Sequence, residues 1–101
     1  MGPLEECIGF DWDEWNSSKN GERHRVSPEE AEDLFFHEPL VIRIDLKHSK
    51  GERRHLVLGQ TAVGRLLFVA FTVRRKLIRV ISVRDMNRRE AEAYRRHEKS
   101  S

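Results

Sequence analysis

Residues 65–85 read RLLFVAFTVRRKLIRVISVRD, and the architecture follows from how this stretch divides. From Arg65 to Arg74 both alternating sets are apolar: Leu66, Phe68 and Ala70 in one, Leu67, Val69 and Phe71 in the other. A strand apolar on both sides belongs in the middle of a sheet with material packed over each face. Arg74-Arg75-Lys76 is too short for a helical crossover, so Leu77 to Arg84 must return antiparallel. In that returning strand Arg79 lies among Leu77, Ile78, Val80 and Ile81. An arginine there requires an anionic partner or a ligand, because a buried unpaired charge is expensive. Asp45 and Glu52 are the candidate partners. Arg79 and Arg84 are an odd number apart, so a regular strand points them to opposite faces. They share a face only if a bulge intervenes or Arg84 lies past the strand end.

Working back toward the N-terminus, Gly64 marks a turn and Arg54 to Thr61 forms the preceding strand. Leu40 to Asp45 alternates partly and reads as a strand near a sheet edge. Pro39 bars any helix from running into it. Ser27-Pro28-Glu29-Glu30 opens a helix with a capping serine, a proline in the first turn and a glutamate able to reach back. Ala31, Leu34 and Phe35 then share one helical face. An earlier short helix starts at Asp11 or Asp13 and runs through Trp15 and Lys19 to the Asn20-Gly21 stop signal. Beyond the meander, Asn87 to about Glu98 is a final helix whose only apolar contacts are Ala91, Ala93 and Tyr94. The expected fold is α+β: two N-terminal helices packed on an antiparallel four-stranded meander, with a C-terminal helix. The helices should cover one face and leave the other as the working surface. Residues 1–101 form a single domain with flexible ends on this reading.

The chain has 101 residues, 38% hydrophobic and 36% charged, which suits one domain with a small core and excludes a disordered tail. The longest apolar run, Leu66 to Phe71, is far too short to cross a bilayer. No basic-then-apolar leader opens the chain, and Cys7 has no second cysteine to bridge. A cytosolic protein without membrane contact is expected. The net charge of +2 is unevenly spread. Residues 1–46 carry 12 acidic and four basic side chains, whereas residues 74–101 carry ten basic and four acidic ones. A basic C-terminal half suggests a polyanion such as RNA or DNA, although a solvated basic helix looks the same in sequence.

Several chemistries are excluded. The five histidines and Cys7 show no zinc-ligand spacing, so no metal and no other cofactor is expected. There is no Gly-x-Ser-x-Gly elbow. The segment Gly59 to Gly64 has phosphate-loop glycine spacing, but Arg65-Leu66 follows where Lys-Ser/Thr is required, and strands flank it. RNA can be cleaved without a metal if the protein assists attack of the 2′-hydroxyl on its own phosphate. That needs a proton acceptor, a proton donor and cations around the crowded phosphorane. Histidine suits the proton transfers and arginine the charge. The chain offers Lys19 and His24 near the first helix, Arg54 and His55 at a strand start, and Arg79 and Arg84 on the last strand. His55 reads equally well as a half-exposed strand residue.

Three segments together resemble the BrnT family of toxins from bacterial type II toxin–antitoxin systems, whose fold is similar to that of RelE and ParE toxins. In FDWDEWNSSKNGERHRVSPEEAEDLF, Phe10, Trp12 and Asp13 precede Lys19, Asn20 and His24, then Val26-Ser27 and the Glu-Glu-Ala of the second helix. Arg25 stands where relatives usually carry glycine. In ERRHLVLGQT, Arg54, Leu58 and Gly59 fit, with His55 in place of an aromatic. In LIRVISVRDMNRREAEAY, Ile78, Arg79, Ile81, Ser82, Arg84, Arg89, Glu90 and Tyr94 follow the family block. The match runs from about residue 10 to 94. It implies a ribonuclease toxin that inhibits translation, with a cognate BrnA-type antitoxin as partner and DNA contacted only through that complex. By the same resemblance Arg79 and Arg84 stabilise transition-state charge and His24 or Lys19 transfers protons. Arg54 holds substrate phosphate, and Tyr94 serves stacking or helix docking. The alternative is a non-catalytic binding module, since ParE-like relatives of the same architecture attack gyrase instead.

Overall fold

A computed structural model gives the architecture and describes residues 4–12, 26–48 and 51–100. Five strands make one sheet: β1 (Gly9–Phe10), β2 (Val41–Ile44), β3 (Arg54–Gln60), β4 (Leu66–Arg74) and β5 (Leu77–Asp85). Their spatial order is β1-β5-β4-β3-β2. The described residues also hold two α-helices, α1 (Pro28–Leu34) and α2 (Arg88–Ser100). Nearly all of the helix expected before Asn20 lies outside the described residues, as do Lys19 and His24.

The α+β class and the meander of β2 to β5 are as read, with β4 at the centre and β2 at an edge. One feature of the sheet corrects the expectation. Gly9 and Phe10 add a fifth strand, parallel to Leu77 and Ile78, so the sheet is mixed rather than purely antiparallel. Two residues carry no alternation to read. Their placement rests on backbone bonds: Ile8 N–H donates to the Lys76 carbonyl at 2.8 Å and Asp11 N–H to that of Ile78 at 2.9 Å. The β4–β5 turn puts Arg75 and Lys76 at φ of 52° and 66°, the handedness a tight hairpin requires.

The strand register sorts side chains onto two faces. Ile42, Val57, Val69 and Val83 lie in one row of the first face, with Phe71, Val80 and Ile78 beside them. Helix α1 covers this face through Ala31 and Leu34, both fully buried. Its start shows the expected capping box: Glu30 N–H donates to Ser27 Oγ at 3.1 Å, and Ser27 N–H donates to Glu30 Oε1 at 3.2 Å. Glu30 also accepts from Arg65 Nη1 at 2.9 Å, while Arg65 Nε donates to Asp85 at 2.8 Å. One guanidinium thereby ties the helix start to the end of β5. At Gly59 the sheet and helix approach so closely that a Cβ would lie 2.8 Å from Leu34 Cγ, so only glycine fits without displacement.

The second face is not wholly open, which corrects the expectation that the helices share one side. Helix α2 lies over its far end, near Leu58 and Phe68. Asn87 caps it, accepting from Glu90 N–H at 2.8 Å, and Gln60 Nε2 donates to Glu98 at 3.0 Å.

His55 also departs from its half-exposed reading. It points into the α1-covered face, is 7% exposed, and stacks on Phe71 with ring centroids 5.2 Å apart. Its Nδ1 is buried with no hydrogen-bond partner among the described residues. Burial, and then the neighbouring Arg53 charge, push its imidazole below the ordinary histidine range. The folded state therefore binds fewer protons here than the unfolded chain. The neutral imidazole's stability is fully present above about pH 6.5 and is lost as pH falls through the depressed folded value. His55→Phe should raise stability by about 1 kcal/mol at neutral pH. Urea unfolding at pH 7.5 and 5.0 should show the variant's advantage growing on acidification, and a constant difference would contradict this account.

Candidate functional site

The second face carries the charges. Its rows follow from the pairing: Arg54, Thr72 and Arg79 in the first; Arg43, Leu56, Ala70 and Ser82 in the next; Val41, Leu58, Phe68 and Arg84 in the third. Arg79 and Arg84 share this face because β5 is bulged. Ser82 pairs with Ala70 and Val80 with Phe71, leaving Ile81 as the extra residue. The bulge resets the alternation, so Val80 and Val83 are both buried in the core.

In the first row, Arg79 Nη1 lies 3.5 Å from Asp11 Oδ2, and Arg54 Nε lies 3.7 Å from Asp45 Oδ2. Asp11, on the segment that extends β1, thus stands at Arg79, a carboxylate not among the expected Asp45 and Glu52. Asp45 serves Arg54 and His48, the latter at 2.9 Å. Glu52 accepts from Arg74 Nε and Nη2. Those bonds hold the Glu52 carboxyl below its ordinary range, with a smaller contribution from the nearby Arg79 charge. Among the described residues, three guanidinium and three carboxylate groups therefore share the end of the face beside the β4–β5 turn.

Arg84 is set apart from that group. It donates from Nη1 and Nη2 to the two carboxylate oxygens of Glu90 at 2.8 and 2.9 Å, and its guanidinium carbon lies 4.1 Å from the Phe68 ring centroid. The Arg84 bonds hold Glu90 below its usual carboxylate range. Arg84 thus clamps α2 onto the sheet as well as charging the face. Along the strand it lies about 13 Å from Arg79, four residues of the paired β4.

Tyr94 takes the docking role of the two anticipated. It is fully buried and its hydroxyl donates to the Pro39 carbonyl at 2.7 Å. In this structure that leaves no ring face exposed for a base to stack on. Arg43 was missed as a candidate. It is exposed in the middle row and makes no hydrogen bond or ion pair with the described residues. Its parity opposite Ile42 and Ile44 was the available signal. No helix among the described residues is long and apolar enough to cross a membrane.

A small α+β domain with an arginine-lined sheet face whose guanidinium groups mostly meet carboxylates, partly roofed by a helix, is the class of protein these features define. The family model described as ribonuclease toxin, BrnT, of type II toxin-antitoxin system matches residues 12–90. The chain belongs to this family, whose members are the toxin half of a toxin–antitoxin pair. The fold is similar to that of the 1.1 Å crystal structure of the Brucella abortus ribonuclease toxin BrnT. The TM-score is 0.58 at 18% identity, covering 81% of this chain and 100% of the other. No curated protein matches the chain.

If Tyr94 docks the helix and touches no substrate, Tyr94→Phe should lower the unfolding free energy by about 1 kcal/mol. RNA cleavage per folded molecule should be unchanged. A loss of RNA affinity at unchanged melting temperature would restore the stacking role.

Proposed function

We propose that this chain is a metal-independent endoribonuclease that inhibits translation by cleaving RNA through 2′-hydroxyl attack. The 2′-oxygen forms a bond to the adjacent phosphorus, its proton passes to His24 or Lys19, and the 5′-oxygen leaves with a proton returned to it. A cyclic phosphate remains on one fragment. Arg79 offsets the charge that builds on the phosphorane and Arg54 holds the phosphate, while Arg84, about 13 Å along the strand, adds its charge by turning from Glu90 toward the same phosphate. The observation that carries this reading is the bulge at Ile81, which turns Arg84 to the face shared by Arg54 and Arg79. Lys19 and His24 enter by family resemblance alone. We further propose that a BrnA-type antitoxin covers this cationic face, that DNA is met only through the resulting complex, and that the toxin acts in the cytoplasm.

A second reading has one observation in its favour: Arg54, Arg79 and Arg84 each face a carboxylate, as groups with purely structural roles would. In that case the chain is a non-catalytic, ParE-like inhibitor.

Incubating the full chain with RNA in EDTA should yield fragments ending in cyclic phosphate. Arg79→Ala should slow that cleavage by about 100-fold, with the far-UV spectrum preserved. Cleavage abolished by EDTA would refute the metal-independent step. RNA left intact with and without ribosomes, alongside growth arrest with uncut transcripts, would favour the inhibitor.

A further inference from the structure

Between the middle and third rows of the charged face lies a cavity of about 120 Å³, lined by Val41, Arg43, Leu56, Leu58, Phe68 and Glu90. It is mostly apolar, so it is no seat for a phosphate. An apolar cavity of about 150 Å³ holds a benzene-sized ring, so this open-mouthed one suits the leading edge of a single planar base.

Its two polar groups are complementary and partly unused. Arg43 makes no bond to the described residues. On Glu90, Oε1 accepts from Arg84 Nη1 and from Asn87 N–H at 2.9 Å, while Oε2 accepts only from Arg84 Nη2. A carboxylate has about four lone-pair sites, so Oε2 keeps one acceptor position.

Leu56 follows Arg54 by two residues on β3, placing the cavity about 7 Å from the first row, that of Arg54 and Arg79. That is within reach of one nucleotide. The base must present an acceptor edge to a guanidinium and an N–H donor to a carboxylate. Guanine does both most fully: its paired acceptors O6 and N7 match the arginine fork and its N1–H and amino group offer two donors to the glutamate, whereas uracil sets a single acceptor on each side of its one N–H.

We propose that this cavity is a guanine-selective base subsite beside the cleaved phosphate, with Arg43 and Glu90 as its specificity-determining residues. The inference rests on the RNA-cleaving reading for its biological meaning, but its binding test does not. Full-length ¹⁵N-labelled protein is titrated with guanosine 3′-monophosphate, uridine 3′-monophosphate and inorganic phosphate. The guanosine nucleotide should shift the Leu56, Phe68 and Glu90 amides and bind at least about tenfold more tightly than the uridine one, the scale of one good bidentate contact. Arg43→Ala should remove that preference. Val41→Trp, which fills the mouth from the edge strand, should abolish the Leu56 and Phe68 shifts. Equal affinities, or shifts reproduced by phosphate alone, would overturn the subsite.

Sequencing the ends of cleaved RNA supplies the second arm. Guanine should be enriched at one fixed offset for the wild type, and Arg43→Ala should lower cleavage at those sites about tenfold. Cleavage with no guanine offset and no selective shift would sink the subsite and leave the nuclease standing. Selective shifts with uncut RNA would uphold the subsite and sink the nuclease.

Discussion

The charged face depends on one irregularity in backbone pairing, the extra residue at Ile81. Without it Arg84 would point into the core with Val83's neighbours, and Val83 would be turned outward. Strand parity is unforgiving, because a one-residue slip exchanges every side chain beyond it. The burial of Val80 and Val83 on one side thus specifies the bulge as strongly as the arginines use it. Core packing and site geometry are satisfied by the same defect.

The two faces of the sheet are covered by different physics. On the first face, α1 contributes Ala31 and Leu34 to a core of valine, leucine and phenylalanine, where each fully buried large side chain contributes roughly 1.5–3 kcal/mol. On the second, α2 is secured by the fully buried Tyr94 ring and its bond to the Pro39 carbonyl, together with Glu90 on Arg84 and Glu98 on Gln60. Directional polar contacts hold a helix in one place without requiring a wide apolar floor. That leaves the rows bearing Arg43, Arg54 and Arg79 uncovered by α2. The resulting shape is an open cationic shelf ending at a cavity under the helix edge.

Much of this was legible in residues 65–85. Two apolar faces on β4 specified its central place, and the short Arg75-Lys76 turn specified the hairpin. The capping box at Ser27 and Glu30 is a local pattern and appeared as read. Three things were not legible, each for a physical reason. Gly9–Phe10 is too short to show periodicity, and its pairing is made by backbone groups that every residue carries. The side chosen by α2 depends on where Pro39 and Arg84 come to lie, which only the assembled sheet determines. The carboxylate facing Arg79 comes from Asp11, 68 positions away, because β1 docks beside β5. The bulge was foreseeable only as one of two ways to bring Arg79 and Arg84 together.

Arg84 belongs to two systems at once, and this separates it from Arg79 in any reading of the site. Removing its guanidinium would leave Glu90 without its bidentate donor, uncover the Phe68 ring and loosen α2, in addition to lowering the charge of the face. Breaking one side of a partly buried pair costs more than the pair contributes, since the remaining carboxylate keeps its desolvation penalty. Loss of function in an Arg84 variant would therefore mix helix docking and cavity shape with the transition-state charge of the proposed mechanism. Arg79 is tied instead to Asp11. Its carboxylate neighbour sits on the opposite edge of the sheet, away from the helix and the cavity. An Arg79 variant therefore reports on the charge of the face, while an Arg84 variant also reports how firmly the roof is held.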